Sequence, residues 1–69
     1  MQIKDTVDLR QLFGERKEWY TVDEIAVGMA MSTHTIRRAL KGEKIRPHTV
    51  KQIAEVLQEP VLSLAIYVE

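Results

Sequence analysis

Between Thr21 and Gly42 the chain reads TVDEIAVGMAMSTHTIRRALKG, and its punctuation permits little except two short helices joined by a tight turn. Thr21 offers a hydroxyl that accepts from a first-turn N–H, and Asp23 and Glu24 follow near the positive end of the helix dipole. Ile25, Ala26 and Met29 fall at i, i+1 and i+4, on one face. Ser32 repeats the capping chemistry, and Ile36, Ala39 and Leu40 give the second helix an apolar stripe. Gly42 stops it, because glycine takes the left-handed conformation without a Cβ penalty. Thr33, His34, Arg37, Arg38 and Lys41 are left over as a polar, cationic outer face.

A stretch this short needs the rest of the chain to cover its apolar side. The 69 residues make a single domain, 1–69, near the lower size at which one apolar core suffices. Met1 to Lys4 are expected to be frayed. Asp5 or Thr6 caps a helix over about Val7 to Lys17, with Val7, Leu9, Leu12, Phe13 and Arg16 as its inner stripe. Gly14 costs ~1 kcal/mol relative to alanine inside a helix, so close packing against another helix, or an early end, is expected there. Glu18, Trp19 and Tyr20 connect to the central stretch as an aromatic lid over the core; a Tyr20 that points outward places its hydroxyl within reach of a phosphate. After Gly42, a loop through Pro47 leads to His48 or Thr49, either of which caps a helix running to about Leu57. Val50, Ile53, Ala54 and Leu57 form its inner face. Pro60 permits a fresh helical start.

Charge is distributed unevenly although it sums to zero. From Ser32 to Gln52 there are six cations, Arg37, Arg38, Lys41, Lys44, Arg46 and Lys51, against Glu43 alone. The remainder holds four cations and nine anions, so a basic pole coincides with the second helix of the central stretch and an acidic pole lies elsewhere. Local charge governs counterion release on phosphates, which makes the basic pole the relevant quantity for nucleic acid.

The sequence points away from an enzyme. His34 and His48 lie fourteen apart with no carboxylate at ligand spacing, so no metal is expected. No acid between Glu24 and Glu43 is available to orient a Ser32–His34 pair, and no glycine-rich phosphate loop occurs. No cofactor or small-molecule substrate is expected. With no cysteine, no apolar run near ~18 residues and no leader pattern, the expected setting is the cytoplasm, without a membrane partner.

The central stretch resembles the helix-turn-helix of the lambda-repressor/Cro-like (Xre-type) DNA-binding family. Ile25-Ala26, Met29 and Met31 about the turn, Ser32, Ile36, Ala39, Gly42, Pro47 and Ile53-Ala54-x-x-Leu57 carry the resemblance, over roughly residues 20 to 65. Ala30 stands where glycine is usual, and must accept an unfavourable backbone angle or reshape the turn. Val22 stands where many members have a phosphate-touching glutamine, and the first motif helix fits the family spacing with about one extra residue before Thr21. The resemblance implies an all-α, compact four- to five-helix domain, with a fifth helix after Pro60 and Leu64 at its apolar position. Strict alternation of Leu62, Leu64, Ile66 and Val68 equally fits a half-buried strand.

The function that follows is that of a Cro-like transcriptional regulator, reading a double-stranded DNA operator with helix 32–41 in the major groove. Thr33, His34, Arg37 and Arg38 are the base-reading set, since arginine can pair bidentately with guanine. Thr33, His34 and Arg38 match the family's base-reading positions, and Arg37 serves equally on phosphate. Thr21, Ser32, Lys41, Lys44 and Arg46 are the phosphate set. One module makes few base contacts, so a homodimer on a two-fold site is expected. The apolar segment 60–69, through Leu62, Leu64, Ile66, Tyr67 and Val68, is the expected association surface. The alternative is an antirepressor that acts by binding a heterologous repressor protein; the zero net charge, Val22 and the apolar tail favour it.

Overall fold

The computed structural model describes residues 1–68; Glu69, the last residue of the tail segment 60–69, lies outside the described residues. Among the described residues five helices follow one another: α1 (Leu9–Lys17), α2 (Val22–Met29), α3 (Thr33–Leu40), α4 (Pro47–Leu57) and a single turn, α5 (Val61–Leu64). Two short strands, β1 (Gln2–Ile3) and β2 (Ala65–Ile66), pair antiparallel, with Gln2 opposite Ile66 and Ile3 opposite Ala65. The domain is therefore small and mostly helical, but not all-α.

The expected caps at the centre form. Thr21 Oγ1 accepts from Glu24 N at 3.1 Å, and Glu24 Oε1 accepts from Thr21 N at 3.1 Å, a reciprocal box that satisfies orphan donors at the start of α2. Ser32 Oγ accepts from Thr35 N at 3.2 Å and opens α3. Between them Ala30 takes the left-handed conformation, φ 57°, so the turn keeps its shape and the alanine bears the strain. Gly42, at φ 74°, lies one residue past the α3 C-cap.

Away from the centre the boundaries move. Asp8, not Asp5 or Thr6, caps α1, and its side chain accepts from Gln11 N. Neither His48 nor Thr49 caps α4: Pro47 already occupies its first turn, Arg46 holds the N-cap position, and no side chain caps it. Arg16 does not belong to an inner stripe. Its guanidinium lies at the surface, donating to Leu57 O and pairing with Glu59, and so ties α1 to the end of α4.

Periodicity located most of the core. Phe13, Ile25, Ile36, Val50, Ile53 and Leu57 are its largest fully buried side chains, one or more from each of the four longer helices. Trp19 half-covers this core, stacked on Phe13 with ring centroids 5.8 Å apart. Its indole lies against Gly28, where an added Cβ would come within 2.3 Å. Gly14 serves the same purpose for Tyr20, whose ring would stand 3.1 Å from a Cβ there; the close neighbour is thus the connection and not another helix.

The chain ends depart most from expectation. Met1 and Ile3 are buried, not frayed, and Lys4 N donates to Leu64 O at 2.9 Å beside the strand pair. The segment after Pro60 is neither a full helix nor an alternating strand, but one helical turn followed by β2. Once Ile3, Leu64 and Ala65 are buried, their backbone groups need partners, and the strand pair with the Lys4 N to Leu64 O bond lets each end serve the other.

Candidate nucleic-acid interface

The α3 helix has two unlike sides. Ile36 and Ala39 are buried, and Leu40 and Thr33 are half-buried. His34, Arg37, Arg38 and Lys41 are exposed, at i, i+3, i+4 and i+7, which is one continuous face. Three of these four carry positive charge, and no acidic residue occurs in α3.

Arg38 is the cation whose direction is set by the fold. Its Nη2 donates to Lys44 O at 2.8 Å, and its Nε lies 3.8 Å from Glu43 Oε1, so the guanidinium leans over the loop that follows α3 while staying half-exposed. The resemblance groups Arg38 with Thr33 and His34 as base readers; in the fold its guanidinium also lies beside Arg46. Thr35, Arg38, Arg46 and Thr49, with Ile45, line a cleft of about 270 Å3 between α3 and the start of α4.

The loop 41–46 is held by an anchor that sequence reasoning missed. Ile45 is buried, its N–H donates to Met1 O at 2.7 Å, and its carbonyl accepts from the Met1 amino group at 2.8 Å. Lys44 and Arg46, on either side of this buried residue, are both exposed. A lone aliphatic residue in a basic loop was the available signal; its partner forty-four positions away was not readable. The second missed feature is the start of α4. Pro47 sits in its first turn, no side chain caps its leading N–H groups, and the residues at and near this start, Arg46, His48 and Lys51, are exposed.

The two helix starts therefore differ as anion sites. At α2, the Thr21 hydroxyl is engaged in capping and Asp23 and Glu24 occupy the first turn, so an approaching phosphate meets like charge. At α4 there is no acid in the first turn, and cations surround it. Ser32, engaged with Thr35 N and hydrogen-bonded to the Thr35 hydroxyl at 3.0 Å, acts first as a cap. Tyr20 is exposed near the start of α2, with its backbone N–H donating to Glu24 Oε1 at 3.2 Å.

No family model, curated protein or solved structure matches this chain.

The expected association segment divides. Leu62 (60% exposed), Ile66 and Tyr67 (73% exposed) stand in solvent, and Val68 is half-buried. Leu64, the last residue of α5, is 2% exposed: it is core and not surface, so its side chain cannot meet a partner. Among the described residues no three His, Cys, Asp or Glu side chains gather where a metal ion would be held. Among the same residues no helix is long and apolar enough to cross a membrane.

Proposed function

We propose that this chain is a sequence-specific regulator that binds duplex DNA, of the lambda-repressor/Cro-like helix-turn-helix kind, with α3 laid into the major groove. The observation that carries the reading is the exposed face of His34, Arg37, Arg38 and Lys41 on a helix whose other side is locked into the core by Ile36 and Ala39. A rigid cationic helix flanked by Lys44, Arg46 and an uncapped helix start matches what a duplex requires: base-reading side chains on one element and phosphate contacts beside it. His34 and Arg37, with Thr33 at the rim, read bases in this arrangement. Arg38 and Arg46, adjoining across the cleft, clamp a phosphate together with Lys41 and Lys44, and the start of α4 takes the place that the acidic start of α2 serves poorly.

Two titrations per variant, on a selected duplex and on a scrambled one at fixed salt, test the assignment. Arg37→Ala loses about 1–3 kcal/mol on the selected site and little on the scrambled one. Lys44→Ala weakens both alike and flattens the slope of log affinity against log salt by about one. Equal behaviour of the two variants on both duplexes sinks the recognition-helix reading, and absence of binding at low salt sinks DNA binding altogether. The antirepressor reading then stands, favoured by one observation: Leu62, Ile66 and Tyr67 expose apolar surface next to the basic pole.

A further inference from the structure

The exposed large apolar side chains form two sets of opposite electrostatic character. On α2, Val27 is 83% exposed and shares an outward face with Asp23 and Glu24, at i−4 and i−3. Exposed Tyr20 adjoins this face through its N–H bond to Glu24, and α2 itself contains no cation. One cation, Arg10, reaches the neighbourhood, where its Nε donates to Tyr20 O. At the other pole Tyr67 rises between two adjoining grooves. One, of about 520 Å3, has Ile45, Pro47 and Val68 on its apolar side and Arg38, Lys44 and Arg46 at its rim. The other, of about 320 Å3, combines Val61 and Leu62 with His48 and Lys51.

We propose that these grooves receive the α2 face of a second copy of the chain, docked head to tail. Charge decides the partner. Two copies that met groove to groove would bring Arg38, Lys44, Arg46 and Lys51 against their own counterparts, an arrangement that like-charge repulsion opposes. The α2 face offers Asp23 and Glu24 to those cations, and Val27 and Tyr20 to Tyr67 and Leu62. A neutral chain whose charge is separated into a basic segment and an acidic remainder is self-complementary in this sense. The two surfaces lie on different elements, so the contact is head to tail and adds copies beyond a dimer, into a ring where the rotation closes and a filament where it does not. Docking also covers Arg38, Lys44 and Arg46. That consequence rests on the proposed DNA reading: duplex and second copy compete for the same cations.

Sedimentation equilibrium tests the contact without DNA. The native chain gains mass steadily with concentration above its 8.0 kDa, and the gain shrinks about tenfold in apparent association constant between low and physiological salt as exposed charges are screened. Tyr67→Glu blocks the groove, and the double change Asp23→Lys, Val27→Lys blocks the α2 face; all three positions are exposed, and circular dichroism verifies folding. Each variant alone stays monomeric, while an equimolar mixture forms a one-to-one complex, since each supplies the surface the other lacks. A native chain that remains monomeric at high concentration, mass that saturates at a dimer, or a mixture that fails to pair overturns the proposal. Should either variant be unfolded, the native chain's mass and salt response decide alone. Added duplex disperses the assembly; an assembly that resists saturating duplex leaves the contact standing and removes the DNA reading.

Discussion

Ala30 holds a conformation that an L-residue resists. A side chain in the left-handed region costs roughly 1–2 kcal/mol, because Cβ crowds the neighbouring carbonyl. Ala30 is exposed, so glycine there loses no packing. Ala30→Gly is expected to stabilise the domain by about 0.5–1 kcal/mol, the strain relieved less the added freedom of the unfolded chain, read from denaturant midpoints. Gly28 gives the opposite lesson. Alanine gains about 1 kcal/mol of helix propensity over glycine, yet its Cβ would overlap the indole of Trp19. Overpacking costs about 1–3 kcal/mol, so the clash wins. Gly28→Ala is expected to lower stability and to shift Trp19 emission to the red as the ring leaves Phe13; an unshifted spectrum with raised stability contradicts this packing.

Among the elements, α4 separates stability from the proposed function most cleanly. Its N-cap residue, Arg46, already has extended backbone angles, φ −68° and ψ 142°, but no acceptor to cap with. Arg46→Asp supplies one, and adds negative charge at the positive end of the dipole, for a gain of about 1 kcal/mol. The same change puts an anion where a phosphate is expected. Thermal unfolding is therefore expected to rise while duplex affinity falls at every sequence. A variant that gains stability and keeps full duplex binding would exclude the α4 start from the DNA surface.

Across the whole molecule, charges of one sign are crowded together. Only two ion pairs form among the described residues, Arg16 with Glu59 and Arg38 with Glu43, against the cluster Arg37, Arg38, Lys41, Lys44, Arg46 and Lys51. Repulsion within the basic pole opposes folding, and salt screens it over a Debye length of about 10 Å at 0.1 M. Moderate sodium chloride is accordingly expected to raise Tm in dilute solution, where head-to-tail contacts are absent. A Tm that falls with salt would mean that attraction between the poles outweighs repulsion inside them.

What the sequence determined by itself was local. The caps at Thr21 and Ser32, the stop near Gly42, and the inner faces of α2, α3 and α4 follow from spacings of three or four residues, which a helix turns into contact whatever surrounds it. The exposed face of His34, Arg37 and Lys41 was legible for the same reason. Tertiary structure decided whatever joins distant positions. The pairing of Ile3 with Ala65, and of Met1 with Ile45, turned expected frayed ends into core, and Leu64 at the end of α5 is interior as well. The resemblance matched Arg38 to a base-reading position, while helix spacing left Arg37 and Arg38 equal; its guanidinium takes its direction from a loop carbonyl at Lys44. A strand of two residues carries no period to read, and a long cationic side chain has many rotamers. Each is settled by the backbone partner that the folded chain brings to it.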